Sequence, residues 1–458
     1  GVISGTANIT YLDDNGCSAT HQVTVNSLPN DASNGFTGNT ICYPDNNPTI
    51  NFDPIDASFI TPYTLIISDG TNNYTINITS SSSTVYTITA PLAPLTNDGV
   101  HALSIVSITN GNGCVRNSGF GDGTASVTTR LHPTTADANT GGGAYPAMCL
   151  GGTTTLSANT PTIGTGTWSI TSGPDNSTSQ FSNVNAPNAI FTPSASGTFS
   201  LRWRITNGPC AASQNNATLV VNPLPFGAIT SASNQSICSG QGISLNVALT
   251  NGIDYTGHFN INVNSGSGTA TPDWQFTAHT ANTGQNTVSI SIPAGNLINS
   301  STQNTVYAVT WSDLTIGATG CSSTGSPELT GSILITVLPK PNIAVTGAPS
   351  GTSCPGTTFT FNVTQPNGVG GTTFNWDVLD PFLAVLPGYS GTGVSYGTGA
   401  VSTDLGLTCP MPTGTYTFRF TPVGPQPTGC LGDVVEVGVV VGDEIAPVVT
   451  TTANALDH

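Results

Sequence analysis

Charge is what this sequence has least of. Asp, Glu, Lys and Arg together make up 6% of its 458 residues, where about 25% is ordinary, and Lys340 is the single lysine. Its surface must therefore be built from Thr, Ser, Asn and Gly rather than from ion pairs. Six basic residues against 23 acidic ones leave a net charge of −17. With no basic stripe to displace counterions from phosphates, nucleic acid is excluded as a partner. No apolar run approaches about 18 residues, so this stretch holds no membrane span.

Other absences narrow the reading further. The ten cysteines include no C-x-x-C pair and no Cys/His group at zinc-finger spacing. That favours disulfides formed in an oxidising compartment over metal ligation, and sets the chain at the extracellular cell surface. The six histidines, His21, His101, His132, His258, His279 and His458, form no H-E-x-x-H motif, and there is neither a G-x-S-x-G elbow nor a P-loop. No catalytic constellation results, and an enzyme is not expected. No apolar face recurs at i, i+3, i+4 and i+7, so helices are not expected either. Without an initiator Met or a signal peptide, targeting information is expected outside the sequence.

What is present is β-structure in repeated form. The 53 glycines and 32 prolines punctuate short runs in which 37% apolar residues alternate with polar ones, a pattern that builds cores rather than disorder. "GCSATHQVTVNSLPN" at 16–30 returns, degenerate but in order, at 113–133, 208–225, 320–341 and 429–447. The cysteines that open these copies, Cys17, Cys114, Cys210, Cys321 and Cys430, are separated by 97, 96, 111 and 109 residues, the length of an immunoglobulin-sized sandwich. A second element, a cysteine followed by a small-residue turn and an alternating strand, begins near Cys42, Cys149, Cys238 and Cys354. Between the two lie aromatic strands such as "GTGTWSITSG" (164–173) and "GTFSLRWRITNG" (198–208).

The fold class is therefore all-β, tandem immunoglobulin-like or PKD-like β-sandwich domains in an elongated rod. Expected boundaries are 1–29 for the C-terminal hairpin of a truncated domain, then 30–133, 134–225, 226–340 and 341–447, with 448–458 starting a further truncated domain. The Leu-Pro and similar pairs close the last strand of each repeat, because proline lacks an N–H and fixes φ. Junctions this short predict a semi-rigid rod, each domain adding about 35 Å.

"CLGGTTTLSANTPTIGTGTWSITSGP" followed by "GTFSLRWRITNGPC" resembles the PKD-like and immunoglobulin-like repeats of very large surface proteins of Bacteroidota, many exported by type IX secretion. The match is strongest over 146–225, and the repeats at 30–133 and 226–340 depart from the pattern. The resemblance implies a sandwich fold and a cell-surface setting, and such modules occur in adhesins, gliding proteins and enzyme stalks alike.

The simple disulfide scheme joins the two cysteines of each repeat: Cys42 with Cys114, Cys149 with Cys210, Cys238 with Cys321 and Cys354 with Cys430. Cys17 is then left for a partner upstream. Cys409 is left as a free thiol, a partner for something beyond the chain, or the mate of Cys354 or Cys430. A competing scheme follows from polarity: the two cysteines of one sandwich belong at opposite poles, whereas the facing poles of successive domains would pair Cys42 with Cys210, Cys149 with Cys321 and Cys238 with Cys430. No cofactor is expected beyond a calcium ion at the Asp/Asn turns "YLDDNG" (11–16), "SDGTNN" (68–73) or "GFGDGT" (119–124), turns that these residues also favour on their own account. Asp377 and Asp380 read as turn formers before Pro381, and Trp168, Trp203, Trp274, Trp311 and Trp376 as core residues rather than a sugar-stacking platform.

The function expected is a structural or adhesive stalk or filament segment of a large bacterial surface protein, without catalysis. Its partners would be neighbouring domains of the same long chain, and other copies in a fibre or surface glycans. The alternative is a carbohydrate-binding or spacer region of a secreted glycan-processing enzyme.

Overall fold

The computed structural model describes residues 3–29, 35–53, 61–79, 84–88, 95–354, 356–405, 413–425 and 428–442. Cys409 and the expected 448–458 segment lie outside them. The chain divides into two compact units, Gly1–Pro223 and Leu224–His458.

The first unit opens with an antiparallel hairpin, Gly5–Leu12 against Ser18–Val25, in register from Gly5↔Val25 to Leu12↔Ser18. Two β-sandwiches follow. In the first, Thr40–Tyr43, Thr124–Leu131, Gly99–Thr109, Tyr63–Ser68 and Asn73–Ile78 form one sheet in that order, and Phe36–Gly38, Thr49–Phe52 and Val85–Thr87 form the other. In the second, Met148–Cys149, Ser213–Asn222, Gly197–Thr206 and Thr165–Ser172 form the main sheet, and the small pair Thr154–Thr155 and Ile190–Phe191 lies opposite. A single-turn 3-10 helix, Thr178–Gln180, is the only helical element among the described residues.

The second unit repeats the plan. Its first sandwich sets Asn286–Ile292, Ile243–Thr250, Phe226–Ile229 and Leu329–Thr330 against Gln235–Cys238, Ser332–Leu338, Thr305–Ile316, Asp254–Ser265 and Thr271–His279. Its second sets Ala344–Thr346, Thr358–Thr364 and Gly397–Asp404 against Val385–Val394, Thr373–Leu379, Gly414–Val423 and Val435–Val441. The strand pairing makes the chain all-β, a tandem of immunoglobulin-like sandwiches.

Period-two alternation explains why these segments become strands. Along Gly197–Thr206 the residues Phe199, Leu201, Trp203 and Ile205 are buried while the residues between them face outward. Each sandwich closes over its own apolar cluster, and the largest side chains sit at the centre: Trp168 and Trp203 in the second, Phe361, Phe374 and Phe418 in the fourth. Burying such a side chain contributes roughly 1.5–3 kcal/mol. Gly166 makes room for Trp203 on the neighbouring strand, since a Cβ there would stand 2.0 Å from the indole ring.

One arrangement recurs in the four sandwiches. A short cysteine-bearing segment runs parallel to the last strand of its sandwich and ends beside that strand's end. Cys42 pairs with Arg130, Cys149 with Asn222 and Cys238 with Leu338, while Ser353, next to Cys354, bridges to Val441. The cysteine of the "Cys-turn-strand" element thus lies at the trailing pole, where the chain leaves the sandwich.

Candidate functional site

The second cysteine of each repeat lies in the loop that feeds the last strand, so it stands at the leading pole. The last strand is 8 residues long in the first sandwich and 10 in the second, which at about 3.3 Å per residue separates the poles by roughly 25–33 Å. A disulfide needs Cα atoms within about 7 Å. Pairing within a repeat is therefore ruled out, and the structure corrects the simple scheme.

Cys42 is bonded to Cys210, with Cα atoms 4.9 Å apart, and Cys238 to Cys430, with Cα atoms 5.6 Å apart. Each bond ties the trailing pole of one sandwich to the leading pole of the next. Cys149 and Cys321 are also in disulfides. Cys114 and Cys354, expected to be bonded, are free, as is Cys17. Cys17 and Cys354 are exposed and Cys114 is partly covered.

Around these bonds lies a second fastening that the sequence reading missed. In every sandwich an asparagine followed by glycine donates its side-chain Nδ2 to a backbone carbonyl of the segment leading in. Asn110 reaches Ser27 O at 3.2 Å and Asn207 reaches Leu131 O at 2.8 Å. Asn251 reaches Leu224 O at 2.7 Å and Asn367 reaches Lys340 O at 2.9 Å. Each accepting residue stands one or two positions before a proline, Pro29, Pro133, Pro225 or Pro341. Ser27, Leu224 and Lys340 lie outside the strands and Leu131 ends one, so a side-chain donor supplies these carbonyls with a partner. The N-G dipeptide reads locally as a turn, which is why its role was hidden; its place near each linker's contact pole was the available signal.

The junction between the first two sandwiches carries further contacts. Asn207, buried, also donates to Asp98 Oδ1 at 2.7 Å. Asp98 accepts the Leu131 N–H at 3.0 Å and pairs with Arg130 at 3.2 Å. Burial pushes the Asp98 carboxyl upward, but the Asn207 amide, the Leu131 N–H and the Arg130 guanidinium together hold it below its ordinary value. Gly208, at φ +57, brings the loop against Arg130, where a Cβ would lie 2.9 Å from Cγ. His132 sits beside the disulfide, its Nδ1 4.0 Å from Cys42 Sγ and its Nε2 3.0 Å from Asp45. In the second unit Lys340 bonds Asp433 at 2.6 Å, and Gly432 approaches so closely that a Cβ would stand 1.9 Å from Pro341 O.

The remaining sequence candidates fall elsewhere. Asp13 accepts the N–H groups of Asn15 and Cys17, and Asp69 those of Thr71 and Asn72 together with the Tyr74 hydroxyl, so these turns use their carboxylates on their own chain. Asp377 forms a two-point pair with Arg419, at 2.8 and 2.6 Å, while Asp380 accepts the N–H groups of Phe382 and Ala384 in a turn. Trp168 and Trp203 are buried, and Trp274, Trp311 and Trp376 pack half-buried against their cores.

No protein-family model matches the chain, and no curated protein matches it. Among solved structures it is similar to an I-band fragment of titin, at 10% identity and a TM-score of 0.32, over 67% of this chain and 97% of that one. It is similar to the N-terminal eight Ig domains of Down Syndrome Cell Adhesion Molecule, at 11% identity and a TM-score of 0.23, covering 94% of this chain and 58% of that one. It is also similar to a Ca2+-stabilized adhesin that helps an Antarctic bacterium reach out and bind ice, at 11% identity and a TM-score of 0.23, over 89% and 99% of the two chains.

Proposed function

We propose that this chain is a load-bearing segment of an extracellular stalk, built from sandwich domains at 30–133, 134–225, 226–340 and 341–447, with no catalytic role. The observation that carries the reading is the placement of the Cys42–Cys210 and Cys238–Cys430 bonds between successive sandwiches. A tension applied along the chain passes from Cys42 through sulfur to Cys210, and from Cys238 to Cys430. The 168 and 192 positions spanned by the two bonds are thereby taken out of the covalent load path, so both domain cores can open without the stalk lengthening by their contour. The resemblance to bacterial surface repeats of Bacteroidota, exported by type IX secretion, supports a setting in which such reach under force is useful.

Single-molecule stretching of the oxidised and the reduced chain tests this. Reduction should release about 570 Å and 650 Å of extra length, at roughly 3.4 Å per position. An oxidised chain that already extends by its full contour sinks the load-bearing reading.

A further inference from the structure

In the first sandwich of the second unit, three neighbouring strands bring a histidine and two carboxylates to one place. His258 lies on the central strand Asp254–Ser265, Asp313 on Thr305–Ile316 and Asp273 on Thr271–His279. One ligand atom from each lies within 4.8 Å of the other two. His258 and Asp313 are direct cross-strand partners, and His258 Nδ1 is 2.9 Å from both oxygens of Asp313.

The convergence is built into the sheet. Both flanking strands break register beside His258: one bulge falls between His258 and Phe259 against Thr305–Ile316, the other between Phe259 and Ile261 against Thr271–His279. Bulges of this kind re-aim side chains. Ser312, the extra residue of the first bulge, donates to Asp273 at 3.4 Å. Beneath, the rings of Phe259, Trp274, Phe276 and Trp311 pack on one another with centroids 4.8–6.3 Å apart, so the site stands on a stiff floor. In a chain with six histidines and 6% charged residues, this is a concentrated set of donors.

We propose that His258, Asp273 and Asp313 form a binding site for a divalent first-row transition ion, zinc above all. Adjacent ligands around an ion bound at about 2.1 Å stand roughly 2.9–3.4 Å apart, the separation His258 and Asp313 already have. One imidazole nitrogen with two carboxylates suits zinc and its neighbours, whereas calcium and magnesium take all-oxygen sets. On binding, Nδ1 releases to solvent the proton that it donates to Asp313 and offers its lone pair to the ion, the ring keeping one proton on Nε2. The three protein ligands leave the outer coordination positions to water, since His258 and Asp313 keep side-chain exposures of 23% and 29% and Asp273 is exposed. Bound zinc clamps three adjacent strands of the sheet.

The test is a calorimetric titration of the whole chain with zinc chloride at neutral pH, after its free thiols have been blocked with N-ethylmaleimide so that Cys17, Cys114 and Cys354 cannot contribute. One saturable equivalent is expected. His258→Gln should weaken it at least about 30-fold, and Asp273→Asn and Asp313→Asn at least about tenfold, while His132→Gln and His279→Gln leave it unchanged. In the unaltered protein, Co2+ should broaden the His258 imidazole resonances at substoichiometric amounts before those of any other histidine, a readout that does not depend on a variant folding. No zinc equivalent in the blocked chain, retention of the equivalent by His258→Gln, or Co2+ acting first on another histidine overturns the proposal.

Discussion

Asn207 shows how much one side chain holds at a domain junction. Its amide satisfies both Leu131 O and Asp98 Oδ1, so Asn207→Ala leaves a partly buried carbonyl and a carboxylate short of a donor. Chemical denaturation should show a loss of about 1–3 kcal/mol, against less than about 0.5 kcal/mol for the exposed Asn216→Ala. The same cluster fixes a pH dependence. The Asp98 carboxyl titrates below its ordinary value when folded, so its contribution is fully present above the unfolded value of about 3.9. It is lost as pH falls through the lower folded value. Thermal unfolding of the wild type should therefore be insensitive to this group at neutral pH and weaken in acid, and Asn207→Ala should move the acid transition upward. Gly166 gives a contrasting case from the core. Gly166→Ala drives a methyl into the Trp203 ring and should cost about 1–3 kcal/mol, measured as a lower unfolding midpoint.

At the scale of elements, the long strands and the short ones differ in how they announce themselves. Gly197–Thr206 was legible because four alternate apolar residues mark its buried face. Met148–Cys149, two residues long, and Thr40–Tyr43, four residues long, carry no measurable period, yet they decide at which pole Cys149 and Cys42 emerge. That is why the repeat is readable in the sequence while the pairing stays open between two schemes. Non-reducing peptide mapping should recover Cys42 with Cys210 and Cys238 with Cys430, and alkylation before reduction should label Cys17 and Cys354 readily and Cys114 more slowly. Recovery of Cys42 with Cys114 contradicts the polarity argument. Replacing Cys42 and Cys210 together by Ser should leave both sandwiches folded, because each has its own apolar cluster. The loop-entropy ceiling for a bond spanning 168 positions is about 5 kcal/mol; the variant should be cut faster by proteases in the linker around Pro133 while each core keeps its near-ultraviolet signal.

For the whole molecule, low charge of one dominant sign sets solution behaviour. A net charge of −17 keeps copies apart at neutral pH, and that repulsion vanishes near the isoelectric point of about 4.1. Light scattering should stay flat at neutral pH and rise as pH approaches that value; a flat trace throughout contradicts the electrostatic account. The β class, the repeat length, the strand faces and the proline stops are all legible along the chain. Each of these is written in neighbouring residues, through an alternation of period two or through the geometry of a single ring. Which cysteines meet, which carbonyl each asparagine caps, and the convergence of His258, Asp273 and Asp313 emerge only once the sandwiches are folded. Those facts join residues up to 192 positions apart or on strands whose bulges shift the register, and no local pattern encodes the distance between them.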